Sequence, residues 1–173
     1  MVKKSEHPWA FAGRVFASGE VEDACLCLQD DPGADVIVML FFLWLGMAGR
    51  KLNAGDMQEI LDLAEPWQRS AIRPLRRLRR EVRNLEEDRS REIYTAMKAS
   101  ELALEKQELQ VLWNAVSASG LLADTGAADI KSNHEAFARA NLEMYLASLE
   151  MHQQRLEGVG EGAGVAPLID LLV

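Results

Sequence analysis

The residues with most chemical promise are arginines. Nine of the thirteen lie between Arg69 and Arg91, and the stretch from Arg69 to Arg80 holds six with no acid among them. Arg69, Arg73, Arg76, Arg80 and Arg83 step by 4, 3, 4 and 3, so on a helix turning about 100° per residue they fall within about 80° of one another. Ile72, Leu75, Leu78, Val82 and Leu85 take the other side. This spacing predicts an amphipathic helix with a guanidinium face, provided Pro74 does not rotate Arg69 and Arg73 away. Guanidinium forks grip carboxylates and phosphates through paired N–H groups, so the face suits an acidic partner or an anion. Alternatively the arginines pair within the chain, with Asp30, Asp31, Asp35, Glu65 or the Glu86–Asp88 cluster. Trp67 is the one aromatic near the stripe, so base stacking on nucleic acid is not expected.

Carboxylates are the second candidate. Glu101, Glu105 and Glu108 share one face of a predicted helix, as inward glutamates do in di-iron bundles. Those bundles need a Glu-x-x-His pair on each of two helices, and none occurs. The histidines are His7, His134 and His152, and only His134 is directly followed by an acid. Lys98 and Lys106 accompany the glutamates, which predicts a solvated face. Asp30-Asp31 with Asp35 form one acidic cluster, where magnesium-dependent isoprenoid chemistry needs two. There is no Gly-rich phosphate loop, no Gly-x-Ser-x-Gly elbow, and no Cys placed with a plausible His. Cys25 and Cys27 diverge by about 200° on a helix, which suits small apolar residues in a reducing cytosol. The expectation is no metal, no cofactor and no catalytic residue.

Helices must position these groups. Helical signals run over residues 7–17, over 21–29 behind the acids Glu20, Glu22 and Asp23, and from Val36 to Gly46 or Gly49 under an Asp31 or Asp35 cap. A fourth helix follows Asn53-Ala54-Gly55, and Pro66 ends or kinks it. Residues 67–85 are helical by pattern, with Pro74 a second kink. Residues 90–119 contain neither Pro nor Gly and predict one long helix. Its stripes, Ile93-Met97-Leu104-Val111 and Leu102-Leu109-Trp113-Val116, lie nearly opposite, which marks a helix central in its bundle or shared with a second subunit. A last helix covers about 132–157. The expected fold is all-α: a single compact bundle of five to seven helices over residues 1–157, with residues 36–48 and 93–116 as its core. A Gly-rich spacer and apolar tail, 158–173, should dock on the chain itself or a partner.

Bulk properties agree. The chain has 173 residues, 49% of them hydrophobic and 27% charged, with a net charge of −8. That composition excludes wholesale disorder and disfavours general attraction to nucleic acid or anionic lipid. The most apolar uncharged run, Val36 to Gly49, has fourteen residues, short of the roughly twenty a bilayer needs. No apolar segment follows Lys3 and Lys4 as it would in a secretory signal.

Some segments look familiar. They are Ala24-Cys-Leu-Cys-Leu-Gln-Asp30, Gly33-Ala-Asp35-Val36, Leu40-Phe41, Trp44-Leu45, Pro74-Leu-Arg76, Arg79-Arg80 and Glu101-Leu-Ala-Leu-Glu105. Together, over about residues 8–115, they resemble a family of proteobacterial proteins of unknown function. Its signatures are ACLxLQD…GxDVN…LLFxxWL and a later PLRxxRR…AELEAE. Ile37 stands where that family usually has Asn, and Ala103-Leu104 departs from its glutamate run. The resemblance implies a bacterial, cytoplasmic protein and supplies no activity, ligand or catalytic residue.

The expected function is therefore that of a small interaction or adaptor protein without catalysis. An acidic partner or a small anionic ligand would meet Arg69, Arg73, Arg76, Arg80 and Arg83, and a homodimer would share the long helix. The alternative is a helical ligand-binding protein or enzyme. Its pocket would lie between the Gln29–Asp35 turn and the arginine helix, lined by Gln29, Asp30, Asp35, Trp44 and Trp67.

Overall fold

A computed structural model describes residues 6–17, 19, 34–84, 88–121 and 133–157. Among them the fold is all-helical: α1 (Pro8–Val15), α2 (Val36–Met47), α3 (Ala54–Trp67), a π-helical turn (Gln68–Ile72), α4 (Arg73–Arg83), the long α5 (Asp88–Ala118) and α6 (His134–Glu157). The expected second helix with Cys25 and Cys27, and the tail after Glu157, lie outside the described residues.

Helix α2 is the centre. Every residue from Val36 to Gly46 is buried, which a helix apolar on all sides requires. Asp35 caps it, accepting from the backbone N–H groups of Ile37 (2.9 Å) and Val38 (3.2 Å). Such a cap contributes about 1 kcal/mol. At its other end Gly49, with φ of 86°, turns the chain. The Arg50 N–H returns to the Leu45 carbonyl and the Gly49 N–H to that of Gly46, the Schellman arrangement that favours glycine. Asn53 then opens α3 through a reciprocal capping box with Asp56.

Helix α6 lies antiparallel on α2, and the two cross where Gly46 meets Ala138. A Cβ on Gly46 would stand 2.2 Å from both the Cα and the N of Ala138. One turn on, buried Asn141 donates to the carbonyls of Phe42 (3.2 Å) and Arg50 (2.8 Å) and accepts from the Leu52 N–H (2.8 Å). That single amide satisfies three backbone groups at the α2–α3 corner, where an unmet buried polar group would cost about 1–3 kcal/mol. On another side of α2, Trp44 stacks on Phe41 and meets Trp113 of α5 edge-on, and Trp113 also meets His7.

Helices α3 and α4 run on as one helical rod through the π turn. Pro66 does not end α3, which runs on to Trp67. The Arg73 N–H reaches back to the Gln68 carbonyl, an i→i−5 bond. The wider turn gives the ring of Pro74 room against the carbonyl four residues earlier. It also answers a packing need. Ile60, Ala64, Gln68, Ile72 and Arg76 are all buried and recur every four residues. In a regular α-helix each such step drifts by about 40°, so one wide turn helps hold the line inward.

Two expectations about the core need correction. Only the C-terminal half of α5 is built into it, through Leu109, Leu112 and Val116, while Ile93 and Leu102 are about half exposed. On α4, Leu78 is likewise exposed rather than inward.

Gly46→Ala is expected to destabilise the fold by about 2 kcal/mol or more, because the added methyl strikes backbone rather than a yielding side chain. Urea denaturation measures this, and Ala138→Gly should give no rescue. An unchanged midpoint for Gly46→Ala would refute the close crossing.

Candidate functional site

The long helix turns its glutamates inward. Glu101 and Glu108 are buried, Glu105 is mostly so, and they continue as Leu112 and Val116 along the buried side of α5. The expectation of a solvated glutamate face is thus wrong. Lys98 and Lys106 sit on the exposed side of the same helix, and their closeness in sequence gave no measure of closeness in space.

Two arginines of α4 answer these glutamates. Arg76, itself buried, donates from Nε to Glu101 and from Nη2 to Glu105, each at 2.5 Å. Arg79 donates from Nε to Glu101 (2.5 Å) and from Nη1 to the Tyr94 hydroxyl (3.2 Å). The remaining members of the predicted stripe, Arg69, Arg73, Arg80 and Arg83, are exposed together with Arg77. Arg73 has Glu65 at 3.5 Å, both about half exposed. The structure therefore divides the stripe between an inner and an outer side. Arg79 was missed as an inward residue, although its three-residue step from Arg76 was a usable signal.

Deeper in, the cluster turns acidic. Gln68, at the head of the π turn, donates from Nε2 to both carboxyl oxygens of Glu108 (3.1 and 2.9 Å). Glu108 is also within hydrogen-bonding reach of Asp35. The Asp35 backbone N–H donates to the Tyr145 hydroxyl at 2.8 Å. Asp35 Oδ2 is buried and meets no N–H or hydroxyl donor among the described residues. Two carboxyls share a hydrogen bond only if one keeps a proton, and a protonated Glu108 is the donor that Asp35 needs.

Charge arithmetic leads to the same state. Four carboxyls, those of Asp35, Glu101, Glu105 and Glu108, face two guanidiniums. Burial works against the charge on Glu101, but hydrogen bonds from Arg79 and Arg76 outweigh it and hold the group below the ordinary carboxylate range. Glu105 is pushed up to about 7, chiefly by burial and despite Arg76. Glu108 is pushed up to about 9 by burial and by the neighbouring Asp35 charge. Burial raises Asp35 as well, against the pull of its cap hydrogen bonds, Glu108 and Arg76. Asp35 and Glu108 titrate as a pair holding one proton. Burial, with the Asp35 charge, also raises the Tyr145 hydroxyl.

Of the predicted pocket residues, Asp35 joins this cluster, within electrostatic reach of Arg76. Trp44 instead belongs to the core and donates from Nε1 to the Glu6 carbonyl at 3.1 Å. Trp67 is half-buried at the end of α3. Gln29 and Asp30 lie outside the described residues. A cavity of about 430 Å³ opens elsewhere, between α3 and the end of α5, over Asp56, Glu59, Ile60, Leu63 and Val116. Among the described residues no group of three or more His, Cys, Asp or Glu side chains is arranged to hold a metal ion, and no helix is long and apolar enough to cross a membrane.

The buried proton sets the sign of a pH dependence. The folded state keeps the Glu108 proton up to about pH 9, whereas the unfolded chain releases it near the ordinary value of 4.5. Stability should therefore fall as pH rises between those values, by up to about 1.4 kcal/mol per pH unit for each proton held. Glu101 acts oppositely, and its contribution is lost as pH falls below its ordinary value. Glu108→Gln keeps an acceptor for Gln68 and a donor for Asp35. Denaturation midpoints of this variant should vary less between about pH 6 and about pH 9 than those of the wild type. A flat wild-type profile over that range would contradict the buried proton.

No curated protein and no solved structure matches the chain. A family described as a protein of unknown function, DUF2390, matches residues 7–112. That span holds α1 to α4 and most of α5, including Asp35, Gln68, Arg76, Arg79, Glu101, Glu105 and Glu108, and the chain belongs to this family.

Proposed function

We propose that this protein is a non-catalytic interaction protein of the bacterial cytosol, contacting an acidic partner through the outward arginines of the Gln68–Arg83 segment. The observation that carries this reading is the division of the arginines. Arg76 and Arg79 fasten α4 to α5, so Arg69, Arg73, Arg77, Arg80 and Arg83 are presented on a rigid rod. In a chain of net charge −8, a local basic face gives direction and specificity to an acidic ligand more than bulk affinity.

One observation favours a second reading, that of a ligand-binding protein or enzyme with a pocket between the Gln29–Asp35 turn and the arginine helix. Asp35, Glu105 and Glu108 are perturbed carboxyls gathered beside Arg76, and such groups cluster at functional sites as well as in structural networks. An anion entering there would depend on Arg76 and Glu105 rather than on the outer arginines.

Fluorescence anisotropy with a labelled peptide of glutamates and leucines separates the two readings. Binding should weaken with salt and fall by about tenfold or more, roughly 1.4 kcal/mol, in Arg73→Glu/Arg77→Glu, while Glu105→Gln leaves it unchanged. Absence of binding, or binding indifferent to the outer arginines, would defeat the proposal. Sensitivity to Glu105→Gln with inorganic phosphate as the probe would favour the pocket.

A further inference from the structure

The rod formed by α3, the π turn and α4 is charge-segregated along its length. From Ala54 to Gln68 it carries acids and no base, and Glu59, Asp62 and Glu65 are exposed. From Arg69 to Arg80 it carries bases and no acid, and Arg69, Arg73, Arg77 and Arg80 are exposed. Two such rods laid antiparallel would oppose acid to base at both ends at once. That is the self-complementarity of a two-fold interface.

The uncharged residues of the outer side are arranged the same way. Pro66, Ser70 and Pro74 are exposed, and the prolines stand four residues before and four after the serine. Leu63 and Leu78, the two large exposed apolar side chains of the rod, are 39% and 51% exposed. They stand seven residues before Ser70 and eight after it, on opposite sides of the π turn. Rotation by 180° about Ser70 exchanges Pro66 with Pro74 of a second copy and brings Leu63 within one residue step of its Leu78. The same rotation brings Asp62 within one residue step of Arg77. Glu65 and Arg73, already neighbours within one chain, form with their counterparts an alternating ring of two acids and two bases.

We propose that this face is where two copies of the chain pair, antiparallel, about a two-fold axis near Ser70. The inference rests on the reading of the outer arginines as an acidic-partner site and names that partner as the acidic half of a sister rod. A small residue at the axis lets the rods approach, and the two Leu63–Leu78 contacts supply the apolar anchors. One pair of helices buries less than the roughly 1,600 Å² of a standard interface, so the dimer should be of micromolar strength and sensitive to salt.

Sedimentation equilibrium at low salt tests the pairing. Wild type should be dimeric, while Asp62→Arg/Glu65→Arg and Arg73→Glu/Arg77→Glu should each be monomeric, with wild-type circular dichroism because all four sites are exposed. Mixing the two variants should restore a dimer containing one copy of each. In a Cys25→Ser/Cys27→Ser background, Ser70→Cys should cross-link to itself on oxidation, since a disulfide needs Cα atoms within about 7 Å. A monomeric wild type, dimers that survive both reversals, a mixture that stays monomeric, or no cross-link at position 70 would each overturn the proposal. A monomeric wild type that still binds the acidic peptide through Arg73 and Arg77 would sink the pairing and leave the acidic-partner reading standing.

Discussion

Arg76 is a guanidinium in the interior of a small helical protein, and much of the site follows from how its charge is met. An unpaired ion there would cost several kcal/mol even after relaxation. Glu101 and Glu105 both bond to it, and Glu101 brings in Arg79. Carboxyls outnumber these guanidiniums by two, and burial pushes Glu105 up to about 7 and Glu108 up to about 9. Glu108 and Asp35 share one proton, Gln68 fixes the orientation of Glu108, and the π turn places Gln68 to do so. Helices α2, α4 and α5 are thereby joined through polar atoms, in a protein whose described core is otherwise apolar apart from Asn141.

Such a network is not an efficient way to gain stability, since a well-packed apolar core of equal volume often does as well or better. Its geometric effect is clearer. A hydrogen-bonded ion pair tolerates little sliding, so α4 is fixed in register on α5: Gln68 against Glu108, Arg76 against Glu101 and Glu105, Arg79 against Glu101 and Tyr94. Apolar contacts alone would specify that register weakly, because Leu78, Ile93 and Leu102 are exposed. The outer side of the rod, with its arginines and its acidic half, inherits the same fixity.

Much of the helical layout was legible in the residues. The all-round apolar run from Val36 to Gly46 marks a buried central helix. Gly49 announces its turn and Asp35 is one of two candidates for the α2 cap, while α3 begins at Ala54 under an Asn53 cap, two residues earlier than expected; the missing Pro and Gly from residue 90 to 119 mark the long helix. The site was legible only in part. The arginine periodicity located the helix but gave one face to Arg69, Arg73, Arg76, Arg80 and Arg83, and an arc about 80° wide straddles the edge between the two sides of α4, where Arg76 is buried and Arg80 exposed. The glutamates were misplaced because charged residues are rarely buried unless paired, and the pairing partners lay 22 to 29 residues away. The signal that could have found them is joint. Glu101, Glu105 and Glu108 run in phase with Leu112 and Val116, and Arg76 and Arg79 run in phase with Ile72. Polar residues continuing an apolar stripe on two neighbouring helices are candidates for one another.

A proton held inside the folded protein between Asp35 and Glu108 underlies the whole cluster. Isotope-edited infrared spectroscopy reads it directly, because a protonated carboxyl has a C=O stretch well separated from carboxylate bands. At about pH 8, above the value of Glu105 and below that of Glu108, the folded protein should show one such band for the pair, absent from Glu108→Gln and lost on denaturation. A folded protein whose Asp35 and Glu108 are both ionised at that pH would contradict the account.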